Sequence, residues 1–96
     1  RDLKKATAET DFIYTDVWTS MGQESEKKDR LEKFKEFQIT EEILTNSSGK
    51  FMHDLPANHG EEISEGLLDH PQSIVFDQAE NRTWGQAGII HYIFSD

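Results

Sequence analysis

Three short runs of β-branched and aromatic residues, Phe12 to Thr15, Lys50 to His53 and Ser73 to Phe76, are separated by longer stretches with a helical pattern. That alternation constrains the fold more than any other feature of the sequence. Strands joined through helices take right-handed crossovers and lie parallel, because a parallel neighbour needs a long connection. The expected fold class is α/β, a partial Rossmann-like three-layer domain with about three parallel strands and flanking helices. Parallel sheets are normally covered on both faces, so three strands imply a missing wing and a bare sheet edge.

The helical pattern predicts helices over residues 3–9, 24–37, 61–68 and 82–94, with a shorter one from Glu41 whose N-cap is Thr40. In the second of these, Glu24/Lys28 and Glu26/Arg30 have the i,i+4 spacing of a solvated charged face, while Leu31, Phe34 and Phe37 supply an apolar stripe. Ile63, Leu67 and Leu68 are expected inward on the 61–68 helix. Trp84, Ala87, Ile90 and Ile93 or Phe94 are available for packing on the last one.

A chain of 96 residues has room for one small domain, which buries only roughly 60 to 65% of its unfolded surface. Nineteen acidic against ten basic residues give a formal charge of −9, which repels phosphate backbones and argues against a nucleic-acid partner. No stretch approaches the roughly 18 apolar residues of a membrane span, and the first residues lack the charged-then-apolar order of a signal peptide. A cytoplasmic location is the expectation. Without cysteine, disulfides, thiolate metal sites and a cysteine nucleophile are all excluded.

Parallel strands bring their carboxyl ends to one side, where open α/β sheets bind ligands. Here those ends carry Asp16 to Gly22, His53-Asp54-Leu55-Pro56 and Glu80-Asn81-Arg82. A carboxylate and hydroxyl from the first, polar groups from the second and a guanidinium at a helix start from the third suit a zwitterion together with a phosphate.

The nine residues Asp16-Val17-Trp18-Thr19-Ser20-Met21-Gly22-Gln23-Glu24, the His-x-Leu-Pro sequence at His53 and the Glu-Asn-Arg sequence at Glu80, in this order, resemble the carboxyl-terminal part of ornithine carbamoyltransferases. The resemblance covers nearly the whole chain. The Ser20-Met21-Gly22 element is similar to the ornithine enzymes specifically, since putrescine-specific relatives carry a tyrosine-containing loop there.

The resemblance implies transfer of a carbamoyl group from carbamoyl phosphate to L-ornithine, with no cofactor and no metal. Asp16 would take the side-chain amine, Ser20 and Met21 the amino-acid end, the Asp54-Leu55 segment would line the reacting centre, and Arg82 would contact carbamoyl phosphate. It also implies a trimer as the full-length protein, and the mitochondrial matrix as the compartment in eukaryotes with that pathway. Residues 1–96 would form the carboxyl-terminal part of the ornithine-binding domain, with the amino-terminal carbamoyl-phosphate domain absent. The isolated chain is then expected to be inactive.

One residue departs from the family pattern: Asp54 stands where the family has cysteine. A carboxylate cannot act as a thiol, and beside Asp16 it would hold an ammonium group in its charged, unreactive form. Two alternatives therefore stand beside the enzyme reading, a non-catalytic binding module on the same scaffold and an engineered or split fragment.

Blander roles compete at individual positions. A lone aspartate after a strand usually ends it or caps a turn, and only the surrounding motif favours a ligand role for Asp16. Trp18 reads as packing, His70 and His91 as surface or packing residues, and Glu80 and Asn81 as orienting a turn. His53, Asp54 and His59 hint at a metal, yet no further ligand has suitable spacing.

Overall fold

The computed structural model describes residues 2–19 and 26–95. Two strands, β1 (Phe12–Thr15) and β2 (Lys50–His53), pair in parallel with Phe12 opposite Lys50 and Thr15 opposite His53. The connection between them runs through α2 (Lys27–Phe34), a 3₁₀ turn at Lys35–Phe37 and α3 (Glu41–Thr45). A short α1 (Leu3–Thr7) precedes β1, and α4 (Val75–Phe94) closes the chain. The α/β class and the parallel pairing thus match the alternation seen in the sequence.

Local chemistry accounts for most element ends. Asp2 caps α1 by accepting from the Lys5 amide at 3.2 Å, and Thr40 caps α3 by accepting from the Ile43 amide at 3.4 Å. Arg30 and Glu26 pair at 3.2 Å along α2, whereas Glu24 lies outside the described residues. Trp18 stacks beside Phe34 with ring centroids 6.0 Å apart, in keeping with a packing role.

Three expectations need correction. Ser73 to Phe76 is not a third strand: only Ser73 makes a parallel bridge, to Phe51, and the chain becomes helical at Val75 rather than at Arg82. The backbone amide of His53, which a third strand would have engaged, instead donates to the Gln78 side chain at 3.1 Å. The first turn of α4 therefore completes the sheet edge with a side chain and seats Val75, fully buried, in the core.

Residues 61–68 are likewise not a helix. The Ile39 amide donates to the Glu62 carbonyl and the Ser64 amide to the Ile39 carbonyl, both at 2.9 Å, which commits this backbone to a bridge. A 3₁₀ turn at Leu67–Asp69 follows Gly66, whose φ of 76° is readily adopted only by glycine. Ile63 and Leu67 still point inward as expected.

The core consists of Ile13, Ile39, Ile43, Leu44, Phe51, Ile63, Leu67 and Val75, gathered on one face of the two strands. The opposite face carries Phe12 and Tyr14, both more than half exposed. Trp84, Ile90, Ile93 and Phe94 do not pack as expected. They are exposed because α4 extends past the described body of the domain.

Candidate functional site

The register of the sheet builds the site. Because Thr15 pairs with His53, the next residue of each strand, Asp16 and Asp54, emerges at the same end and side by side. One ligand-type atom from each of Asp16, His53 and Asp54 lies within 4.8 Å of the others. Both aspartates are exposed, whereas His53 is buried.

From the other side α4 contributes the adjacent Gln78 and Ala79 and, one helical turn on, Arg82. Together with His53 and Asp54 they line a cleft of about 310 Å3. Arg82 therefore stands beside Asp54, but by a different route from the one expected. It sits two turns inside α4, so the helix N-terminus adds nothing, and among the described residues only the guanidinium itself offers the cleft a positive charge for an anion. Glu80 and Asn81 are exposed helical residues and orient no turn. Ser20 and Met21 lie outside the described residues.

The turn after β2 is held from beneath. Leu55, half-buried against the core, has φ of 64°, a left-handed conformation that costs a non-glycine residue energy and persists only when its surroundings impose it. Its amide donates to His53 Nδ1 at 2.9 Å. Because that ring nitrogen accepts, Nε2 carries the proton and donates to Glu62 Oε1 at 3.0 Å. The same Glu62 oxygen accepts from the Asn58 amide at 2.6 Å. Both side chains are essentially inaccessible to solvent, at 1% for His53 and 0% for Glu62.

Sequence reasoning missed Glu62 and Gln78. Glu62 falls within the stretch expected to be helical, and no local signal marks it as the partner of a histidine nine residues earlier.

The Asp16, His53 and Asp54 cluster has the composition of a metal site, but its imidazole does not offer a ligand atom. The Nδ1 lone pair is engaged by the Leu55 amide, and Nε2 bears the proton shared with Glu62. Two exposed carboxylates remain, which fall short of a coordination set. His59 lies elsewhere, 3.8 Å from Glu65.

What remains is a cleft lined by the Asp54 carboxylate and the Arg82 guanidinium, with the Asp16 carboxylate beside Asp54, so that acids able to receive an ammonium or amine stand near a cation able to receive an oxyanion. The profile of the family described as aspartate/ornithine carbamoyltransferase, Asp/Orn binding domain, matches residues 1–93. An ornithine carbamoyltransferase of Archaeoglobus fulgidus is 52% identical over 92 residues, covering 94% of this chain and 30% of that protein. One from Geobacillus stearothermophilus is 49% identical over 87 residues, covering 88% of this chain and 28% of that protein. The chain thus spans less than a third of the length of these relatives.

Among solved structures, the ornithine carbamoyltransferase of Pyrococcus furiosus superposes with a TM-score of 0.83 at 43% identity, covering 94% of this chain and 29% of that one. The anabolic ornithine carbamoyltransferase of Campylobacter jejuni also gives 0.83, at 31% identity, covering 95% of this chain and 31% of that one.

Proposed function

Since this chain belongs to the aspartate/ornithine carbamoyltransferase family, we propose that it is the ornithine-binding part of an ornithine carbamoyltransferase, which converts carbamoyl phosphate and L-ornithine to L-citrulline and phosphate. The observation that carries this reading is the convergence of Asp16, Asp54 and Arg82 on one side of the parallel sheet.

In the proposed reaction the side-chain amine of ornithine forms a bond to the carbamoyl carbon, the bond from that carbon to the phosphate oxygen breaks, and the amine loses a proton. Asp16 orients the amine, Ser20 and Met21 hold the amino-acid end, Asp54 and Leu55 border the reacting carbon, and Arg82 neutralises the phosphate. Most of the rate gain in such a transfer comes from bringing a neutral amine close and aligned, and from cations placed where negative charge develops. Residues 1–96 supply the amino-acid half of this site. The further phosphate contacts belong to segments of the kind that make up the remaining length of the relatives, in a homotrimer acting in the cytoplasm or, in some eukaryotes, the mitochondrial matrix.

The carboxylate of Asp54 beside that of Asp16 favours a second reading, in which the scaffold binds ornithine without turning it over. Assays on the protein expressed from its complete coding sequence separate the two. Citrulline formation that falls about 10²-fold or more in Asp16→Asn supports transfer. Ornithine binding without product supports the binding module, and failure to bind either ornithine or carbamoyl phosphate refutes both.

A further inference from the structure

The buried imidazole and carboxylate beneath the cleft have no part in the transfer described above, yet two hydrogen bonds tie them to the turn that carries Asp54 and Leu55, and a third joins them to each other. We propose that His53 and Glu62 are positioning residues, which fix that turn toward the substrate through a single histidine tautomer. The inference rests on the transfer reading for its functional consequence and on geometry alone for the tautomer.

The chain of constraint is directional. Glu62 accepts the Nε2 proton at 3.0 Å, which leaves Nδ1 unprotonated and able to accept the Leu55 amide at 2.9 Å. Leu55 is thereby kept at φ 64°, and Asp54, between the two tethered residues, keeps its side chain 44% exposed on the cleft side. Glu62 Oε1 fixes the far end of the loop through the Asn58 amide at 2.6 Å, and Gln78 anchors the near end by accepting the His53 amide at 3.1 Å. If the proton sat on Nδ1, the ring would present a donor to the Leu55 amide, and the left-handed residue would lose its tether. Glu62 lies outside the cleft lining, and the His53 side chain, though at the cleft, is buried. Both act through the backbone of residues 54–58.

Two substitutions separate this role from ordinary core packing. In His53→Asn the side-chain oxygen occupies the place of Nδ1 and can still accept the Leu55 amide, while contact with Glu62 is lost. In His53→Gln the reach to Glu62 is kept and the acceptor for Leu55 is lost. In the protein expressed from its complete coding sequence, kcat should fall about 10²-fold in His53→Gln, the cost of a displaced reacting group, and at least several-fold less in His53→Asn. KM for carbamoyl phosphate should stay within about threefold in both, because Arg82 is borne by α4 and not by the turn.

Should either variant fail to fold, nitrogen-15 NMR of the His53 ring in the unsubstituted protein still decides, since Nδ1 must be unprotonated and Nε2 protonated at neutral pH. The opposite tautomer, or kcat losses that simply track melting temperature in both variants, would overturn the positioning role and leave the transfer reading standing. Absence of citrulline formation in the unsubstituted protein would instead refute the transfer reading.

Discussion

Gly49 controls the entry to the parallel ladder, and replacing it with alanine should loosen the pairing that sets Asp16 beside Asp54. Gly49 is buried, and a Cβ added there would lie 2.7 Å from the Thr10 carbonyl oxygen and 3.2 Å from Ser47 Oγ. Ordinary contact at this position begins at 3.4 Å. Ser47 Oγ can rotate away, although it accepts the Gly49 amide at 3.0 Å, but the Thr10 carbonyl is backbone and moves only with the start of β1. The next bond in the ladder, from the Lys50 amide to the Asp11 carbonyl at 2.8 Å, must then lengthen.

Overpacking of this kind costs about 1–3 kcal/mol. In a domain of this size each kcal/mol lowers the midpoint by about 4–8 °C, so Gly49→Ala should melt about 5–20 °C below the parent in a thermal scan followed by circular dichroism. A midpoint within about 2 °C of the parent would refute the claim that close approach of Thr10 and Gly49 sets the strand pairing.

Three further outcomes are expected. Gly85 and Gly88 lie within α4 with nothing inside 4 Å of an added Cβ, so Gly85→Ala and Gly88→Ala should each stabilise the helix by about 0.5–1 kcal/mol, and a lowered midpoint would reveal a covering surface at that position. Asp54→Cys removes one of two carboxylates facing the amine, so the acidic limb of the citrulline-forming pH–rate profile should move down by roughly half to one unit, and an unmoved limb would count against Asp54 holding the amine charged. The hydrogen bond to Glu42, with that carboxylate's charge second, raises the Lys4 ammonium above its ordinary value. A raised folded value gives a contribution present below the unfolded value and lost as pH climbs through the folded one, so any melting difference between the parent and Lys4→Met should vanish at strongly alkaline pH.

The strands β1 and β2 were legible because Phe12 to Thr15 and Lys50 to His53 each end at turn-forming or charged residues, with a helical pattern between them. The start of α4 was not, because Val75 and Phe76 suit a buried strand as well as the first turn of a helix. The outcome depends on Gln78 capturing the His53 amide, a contact between residues 25 apart in the chain. Arg82 was expected at a helix start, whereas it lines the cleft beside Asp54 from inside α4. Glu62 shows the same limit from the other side. Side by side with Glu61 it has the appearance of a solvated acid, and only the folded chain turns its carboxylate onto His53.

Residue order alone therefore determined the α/β class, the parallel direction of the strands and the motif that ties the chain to its family, because periodicity and connection length are local properties of a polypeptide. Tertiary structure decided which residue stands opposite which, where the third segment turns into a helix, and that a histidine and a glutamate hold the Asp54 turn from below. Those are contacts between distant segments, and their energies depend on burial and hydrogen-bond geometry that no local pattern encodes.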